Sequence, residues 1–367
     1  MQKILNIYLF IMKRFESLDA FRGIAALMVA IFHLNVIGVI SNIPLIRNSF
    51  LLVEFFFVLS GFVISYSYNN KVKNIHDLKD FTVKRFARIW PLHIFMTLLF
   101  IPFALANIIL GLDLSDRFSL YSFISSFFLI QSFTMTGDSW NLVAWSISSE
   151  FYTYILFGAL SILPFFNKRA LLPIIIIFMS LLLLNMDLGI NKSIFRCLPS
   201  FFLGCLAFRY YRKLTIKPWM EFASITLAVI PLSFFQGDFL YSLMPLLFFI
   251  MVIVFSHETG SISKVLKLKP FQILGVLSYS IYLTHAWFIA VLKSLSILVD
   301  KFFGYNFMLI IDNVRFIDFN VSFNDLVFIP YLGIVIIFSY ITHRYIEMPY
   351  QKKILNFYFL KKSSYAY

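Results

Sequence analysis

Long apolar runs recur along the chain, separated by short polar stretches that are mostly basic. About 20 consecutive apolar residues are needed to cross a bilayer as a helix. The runs predict ten spans, at residues 18–40, 50–68, 90–111, 142–165, 170–187, 194–208, 218–236, 239–256, 271–299 and 325–343. The pattern therefore predicts an all-α integral membrane protein with about ten transmembrane helices.

Residues 118–136 are the main ambiguity in this assignment. The run contains several serines and follows Asp113, Asp116 and Arg117. These features favour an interfacial or re-entrant piece over an eleventh span.

Composition excludes a soluble enzyme. Hydrophobic residues make up 60% of the chain and charged residues 13%, against roughly 25% charged in soluble domains. A net charge of +13 would suggest nucleic acid as a partner in a soluble protein. Here 23 Lys and Arg fall in segments predicted inside and six in segments predicted outside, which is the positive-inside pattern. The charge thus predicts topology, with both termini cytoplasmic and no nucleic-acid partner; binding of anionic lipid or substrate is a secondary explanation.

The sequence predicts one membrane domain with short flanks. Residues 1–17 form a cytoplasmic or interfacial segment, in which the apolar stretch 4–12 is too short for a span and lacks a cleavage pattern. Residues 18–345 form the transmembrane domain, and 346–367 a basic cytoplasmic tail.

The first span carries ionisable residues, which are costly in a membrane and by default functional. Arg22 and His33 are eleven residues apart, so they share a helix face at about 16 Å separation along the axis. Asp19 lies one turn closer to the cytoplasm, where it can hold Arg22. The spacing excludes a compact triad and suits a long ligand whose charged end stays at the cytoplasmic side.

Other spans bring polar groups to a depth similar to that of His33. These are Glu150, His285 and the pair Ser60–Gly61. Each has a structural alternative: the ionisable groups can tie helices together, and Ser–Gly pairs commonly serve close helix packing. Likewise, Arg85 and Arg88 can be only the basic flank of the third span.

For two further carboxylates, those of Glu54 and Glu347, the sequence predicts a structural environment. Glu54 lies close to an outer helix end, where water can reach it. Arg344 and Glu347 are spaced (i, i+3), which predicts an ion pair.

Six segments resemble, in order, the blocks of the acyltransferase-3 family, which are integral-membrane acyltransferases that modify sugars of bacterial surface polysaccharides. The segments are LDAFRGIAALMVAIFHL, FFFVLSGFVI, VKRFARIWPL, WSISSEFYTY, LGVLSYSIYLTH and RYIEMP. The resemblance covers about residues 17–350 and implies a bacterial cytoplasmic (inner) membrane location. Some members carry an added extracytoplasmic domain; this chain is expected to be a stand-alone member.

The resemblance also implies site residues. It implies an Arg-x10-His element, matched by Arg22 and His33, with His33 essential for transfer, and an Arg-x-x-Arg element, matched by Arg85 and Arg88. The predicted site comprises His33 and Glu150 as catalytic residues, Arg22, Arg85, Arg88, Ser60 and Gly61 as donor-binding residues, and Asp19, His285 and Tyr282 in support.

Residues and resemblance together yield one hypothesis. The protein moves an acetyl or similar acyl group, such as succinyl, from cytoplasmic acyl-CoA to a hydroxyl of a surface or lipid-linked glycan. The arginines engage the donor's phosphates, because guanidinium matches phosphate geometry. His33 acts as general base or as transient acyl carrier, Glu150 orients it or stabilises its imidazolium, and Ser60–Gly61 position the thioester. No metal and no permanently bound cofactor are expected.

A transporter or flippase of a glycan or lipid-linked sugar is the alternative. His33, Glu150 and His285 would then relay protons or substrate. Acyl-CoA binding separates the two hypotheses, because a flippase has no need to bind CoA.

Overall fold

The computed structural model describes residues 14–109, 116–135, 137–187, 189, 191–311, 314–319 and 324–364. The interfacial helix predicted at residues 4–12 lies outside them. Within the described part, eleven α-helices have at least 15 residues: α1 Glu16–Leu34, α2 Leu52–Tyr68, α3 Ile75–Leu98, α4 Trp145–Ser161, α5 Leu171–Asn185, α6 Ser193–Tyr210, α7 Trp219–Phe234, α8 Leu240–Phe255, α9 Lys269–Phe303, α10 Phe328–Thr342 and α11 Met348–Ser364.

Short elements connect the long helices. Short α-helices are Val39–Asn42, Pro44–Arg47, Ile101–Ile109, Leu120–Phe127, Pro164–Lys168 and Ser261–Leu266. Turns of 3₁₀ helix are Ser49–Leu51, Asp116–Phe118, Gln131–Phe133, Leu142–Ala144, Tyr211–Lys213 and Asn324–Val327, and a π-helical turn at His343–Glu347 joins α10 to α11. Strands β1 Met308–Ile311 and β2 Val314–Ile317 form an antiparallel hairpin, with Met308 opposite Ile317.

A helix lies at each of the ten predicted spans, which agrees with the predicted all-α membrane protein. By length and apolar composition, five segments can cross a membrane: Glu16–Leu34, Ser49–Tyr68, Ile75–Ile109, Lys269–Phe303 and Asn324–Leu360. Helices α5, α7 and α8 are apolar but shorter. The number of crossings and the side of each terminus stay predictions.

Several helix ends differ from the predicted boundaries. Helix α1 ends at Leu34 rather than residue 40, because Asn35 adopts the left-handed conformation (φ 53°) that commonly ends helices. Helix α3 begins at Ile75 rather than residue 90, with the Asn74 side chain accepting a hydrogen bond from the Asp77 N–H at 2.9 Å. At the other end of the chain, the predicted tail continues α10 as helix α11.

In the region predicted at 118–136, the described residues 118–135 fold back against α3 and α4. The eight-residue helix Leu120–Phe127 is about 12 Å long, too short to cross a membrane. The Trp90 indole donates to the Phe127 carbonyl at 3.1 Å, and the Ser132 hydroxyl donates to the Trp145 carbonyl at 2.7 Å. The segment is therefore not an eleventh spanning helix.

Glycines set the closest helix contacts. A Cβ atom on Gly23 of α1 would lie 2.6 Å from the Gly275 nitrogen of α9, and one on Gly61 of α2 would collide with the Phe201 carbonyl oxygen of α6. Small residues allow such close backbone approach between membrane helices. These two contacts fix the registers of α1 on α9 and of α2 on α6.

Candidate functional site

A cavity of about 180 Å³ lies between α1, α2, α3, α4 and α9. Its polar lining combines three guanidinium groups, one carboxyl group, and hydroxyl groups of serine and tyrosine. These lining residues are Arg22, Ser60, Arg85, Arg88, Ser146, Glu150, Tyr154, Ser278, Tyr279 and Tyr282. All three predicted donor-binding arginines and Glu150 thus meet at one cavity, although they come from three different helices.

Arg22 is held by its own helix and by α9. Its Nε donates to the Ser278 hydroxyl at 2.7 Å and one Nη to the Gly275 carbonyl at 2.9 Å. Asp19, one turn earlier, lies 3.3 Å from the same guanidinium and also pairs with Arg14 at 2.7 Å. The predicted contact between Asp19 and Arg22 is confirmed.

Arg88 forms an ion pair with Glu347, the carboxylate that was predicted to pair with Arg344. Glu347, which is fully buried, lies 2.6 Å from Arg88 and accepts hydrogen bonds from His343 Nδ1 and Ser280 Oγ, each at 2.9 Å. The expected Arg344–Glu347 ion pair is therefore wrong, and Arg344 contacts the Tyr340 hydroxyl instead.

Arg85 has no carboxylate partner among the described residues. One Nη donates to the Tyr68 hydroxyl at 3.3 Å, and the guanidinium carbon lies 5.3 Å from the centre of that ring. Its buried Nε has no acceptor in the described part of the chain. A guanidinium at a cavity wall with a free donor is suited to bind an anion.

Glu150 belongs to a short hydrogen-bonded chain that also lines the cavity. The Tyr154 hydroxyl donates to Glu150 Oε1 at 2.6 Å, and the Ser60 hydroxyl lies 2.6 Å from the Tyr154 oxygen. Because a phenol has one hydrogen, which goes to Glu150, Ser60 is the donor in the second bond. Tyr154 follows Glu150 by one helical turn, so this link was visible in the sequence but was not identified.

His33 forms its close contact with His285. His33 Nδ1 lies 3.3 Å from His285 Nε2, and the ring centroids are 5.2 Å apart. Neither histidine lines the cavity; Tyr282 does, and its ring centroid is 5.9 Å from that of His285. Glu150 is hydrogen-bonded to Tyr154, and His33 is not among the side chains in contact with it in the described residues. The expectation that Glu150 orients His33 stays a prediction.

The adjacent residues Ser60 and Gly61 face different parts of the protein. Ser60 lines the cavity, whereas Gly61 faces α6, where its carbonyl accepts a weak hydrogen bond from Cys205 Sγ at 3.8 Å. The structure gives Gly61 a role in helix packing, in place of the predicted role in positioning the thioester.

Glu54 is another carboxylate whose expected environment was wrong. It is fully buried and pairs with Arg196 at 2.7 Å, and Arg196 lies between the rings of Trp145 (4.7 Å) and Tyr241 (4.4 Å). This ion pair ties α2 to α6 instead of meeting water at a helix end.

Comparison with known proteins gives a family match over most of the chain. The model of the family described as "Acyltransferase domain" (Acyl_transf_3) matches residues 15–344. The chain is 26% identical over 321 residues to the peptidoglycan O-acetyltransferase OatA of Listeria monocytogenes, covering 74% of this chain and 49% of that protein. It is 26% identical over 316 residues to the O-acetyltransferase OatA of Staphylococcus aureus, with 73% and 49% covered.

A shorter match is to Protein 2 in picA locus of Rhizobium radiobacter, 35% identical over 101 residues, which covers 27% of this chain and 51% of that protein. The chain spans about half the length of the curated relatives it matches. No solved structure matches it.

Proposed function

The chain belongs to the acyltransferase family whose model matches residues 15–344, and from that premise we propose that it is a membrane O-acetyltransferase. The donor is cytoplasmic acyl-CoA, with acetyl-CoA first among the candidates. The acceptor is a hydroxyl group of a surface or lipid-linked glycan, the class that includes the peptidoglycan in the name of the Listeria relative. The site of action is the bacterial cytoplasmic membrane.

The convergence of Arg22, Arg85 and Arg88 on one cavity is the observation that carries this proposal. Three guanidinium groups beside a buried cavity suit a polyphosphate ligand better than a neutral sugar, because guanidinium binds phosphate oxygens through paired N–H donors. A transported glycan without phosphate offers them no counter-charge. This favours a CoA donor over transport of a neutral glycan, and binding of CoA separates the donor from a lipid-linked sugar that carries its own phosphate.

The size of the cavity favours partial enclosure of the donor. About 180 Å³ is below the roughly 300–1,000 Å³ of pockets that hold drug-sized ligands. The nucleotide end of CoA would therefore remain at the mouth, beside the arginines. The narrow pantetheine arm would extend inward past Tyr282 towards His33, about 16 Å beyond Arg22 along α1.

Transfer at His33 follows one of two routes. In the first, the His33 imidazole removes the acceptor hydroxyl proton while the oxygen bonds to the acyl carbon, the C–S bond breaks, and CoA leaves as a thiolate. In the second, an imidazole nitrogen takes the acyl group from the thioester, and the acceptor hydroxyl then removes it. Both routes release CoA and regenerate neutral His33 after proton transfer.

The decisive experiment supplies the purified protein in lipid vesicles with acetyl-CoA or succinyl-CoA and follows release of free CoA on addition of glycan fragments. We expect thiol release that depends on both substrates. Mass spectrometry of the surface polysaccharide from cells with and without the protein would identify the acyl group and the sugar. Absence of CoA binding, together with an unchanged polysaccharide, would overturn the proposal and favour transport.

Replacing Arg85 by glutamine tests the donor site. Arg85 is the cavity arginine without a carboxylate partner in the described residues, so its donors are the most available for phosphate. A hydrogen bond to a charged group is worth about 1.5–3 kcal/mol. We therefore expect KM for acyl-CoA to rise roughly 10- to 100-fold while kcat changes less than about threefold.

Lys79→Gln is the matched control for Arg85→Gln. It removes a positive charge from an exposed position on the same helix, and we expect an unchanged KM. An unchanged KM in Arg85→Gln, or loss of the protein from membranes without any kinetic effect, would show that Arg85 is only a basic flank of α3.

A further inference from the structure

His285 is the close neighbour of His33, and its surroundings assign it a specific task. It is fully buried on α9, and its Nδ1 lies 3.2 Å from the Ile281 carbonyl oxygen. On α1, His33 Nδ1 lies 2.9 Å from the Val29 carbonyl oxygen. The two rings therefore share one arrangement, in which each Nδ1 faces the carbonyl of the residue four positions earlier.

The glycine contact between α1 and α9 brings the rings of His33 and His285 to the same level. Gly23 packs on Gly275, where a Cβ on either residue would lie within 2.6 Å of the other helix's backbone. His33 follows Gly23 by ten residues, and His285 follows Gly275 by ten residues. Helices that run in the same direction rise by the same 1.5 Å per residue, so ten residues carry both histidines about 15 Å to one level.

The carbonyl neighbours and the contact between the two rings together set both tautomers. A carbonyl oxygen is only an acceptor, so the Ile281 carbonyl places the hydrogen of His285 on Nδ1, and the Val29 carbonyl favours the same position in His33. His285 Nε2 is then unprotonated and accepts from His33 Nδ1–H, which is shared between it and the Val29 carbonyl. The opposite arrangement would place a nitrogen lone pair against each of two carbonyl oxygens.

We propose that His285 is a positioning residue that holds His33 in its Nδ1–H tautomer and leaves the His33 Nε2 lone pair free for the reaction. When His33 Nε2 gains a proton, the Nδ1–H donor becomes part of an imidazolium, and its hydrogen bond to His285 strengthens. His285 thus stabilises the charge that forms during transfer. Its role extends the proposed function and depends on His33 as the reacting base or carrier.

Two variants separate this role from packing. In His285→Gln the side-chain oxygen can still accept from His33 Nδ1–H, whereas His285→Leu has no acceptor. Groups that orient metal-binding histidines are typically worth 10- to 100-fold, and we take the same range for a histidine that orients His33. We expect His285→Leu to lower kcat by that factor with KM for acyl-CoA unchanged, and His285→Gln to retain kcat within about threefold of wild type.

Thr284→Val is the control for loss of a buried polar contact on the same helix. Thr284 shares a hydrogen bond with Ser339 of α10 at 2.9 Å, and its removal is expected to leave kcat unchanged. Equal kcat in the leucine and glutamine variants, whether both normal or both low, would overturn the positioning role.

A second measurement does not depend on activity. Nitrogen-15 NMR of histidine-labelled protein, with the His33 signal identified by its absence in His33→Asn, reports which ring nitrogen is protonated. We expect Nδ1–H with an unprotonated Nε2 in the wild type, and a larger share of the Nε2–H form in His285→Leu, because only the Val29 carbonyl then favours a hydrogen on Nδ1. A protonated Nε2 in the wild type would refute the positioning role, whereas the expected spectrum in a protein that transfers no acyl group would refute only the proposed function.

Discussion

Replacing His33 by asparagine is expected to lower acyl transfer by about 10²- to 10⁴-fold or more while the protein reaches the membrane in normal amount. General base catalysis contributes typically 10²–10⁴-fold, and loss of a covalent carrier removes a route entirely. Asparagine is polar and of moderate size, so the variant removes the imidazole base while largely preserving the packing against His285. CoA release with saturating acyl-CoA and glycan fragments measures the effect.

The binding of acyl-CoA should be nearly unchanged in His33→Asn, because the cavity lining does not include His33. His76→Asn is the control, since His76 is exposed at the start of α3, and it should transfer at the wild-type rate. Transfer by His33→Asn within a few-fold of wild type would remove His33 from the mechanism.

The same pair of proteins separates the two routes of transfer. Incubation with acyl-CoA alone, followed by acid quenching and mass spectrometry of the peptide that contains His33, detects an acyl-histidine. The carrier route leaves one acyl group on that peptide in the wild type and none in His33→Asn. The direct route leaves the peptide unmodified, with or without acceptor.

Long apolar runs predicted where the helices lie, because a helix that meets lipid must be apolar over most of its length. The third span shows where this signal fails. The part of α3 before residue 90 carries Arg85 and Arg88, whose polar side chains line a protein cavity instead of facing lipid. Hydropathy cannot distinguish a polar face buried in protein from a loop, so the predicted boundary fell at residue 90.

Contacts within one helix were predictable, whereas contacts between helices were not. Asp19 and Arg22 form the expected pair, since residues three apart share a helix face. The same rule failed for Arg344 and Glu347, because a π-helical turn changes which residues share a face and turns Glu347 towards Arg88. His285 beside His33 depends on the Gly23–Gly275 contact, which joins residues about 250 positions apart.

Replacing Gly61 by alanine is expected to prevent accumulation of folded protein, the second large effect. The added Cβ would collide with the Phe201 carbonyl oxygen and lie 2.8 Å from its carbon and 3.2 Å from the Cys205 nitrogen. These atoms belong to the backbone of α6 and cannot move aside as a side chain can. Overpacking of a well-packed interior costs about 1–3 kcal/mol, and a backbone obstacle places this variant at the upper end.

Three variants separate packing at Gly61 from chemistry at Ser60. Gly204 of α6 is the reciprocal contact, where a Cβ would lie 2.7 Å from the Phe62 nitrogen, so Gly204→Ala should fail in the same way. Gly333→Ala is the matched control, because a Cβ there meets nothing within 4 Å and alanine favours helix. Ser60→Ala should accumulate normally, since only the hydrogen bond to Tyr154 is lost. Size-exclusion profiles and thermal melting of detergent-solubilised protein measure the folding of all four variants. Normal profiles for Gly61→Ala would contradict a packing role for Gly61 and favour its predicted role in donor binding.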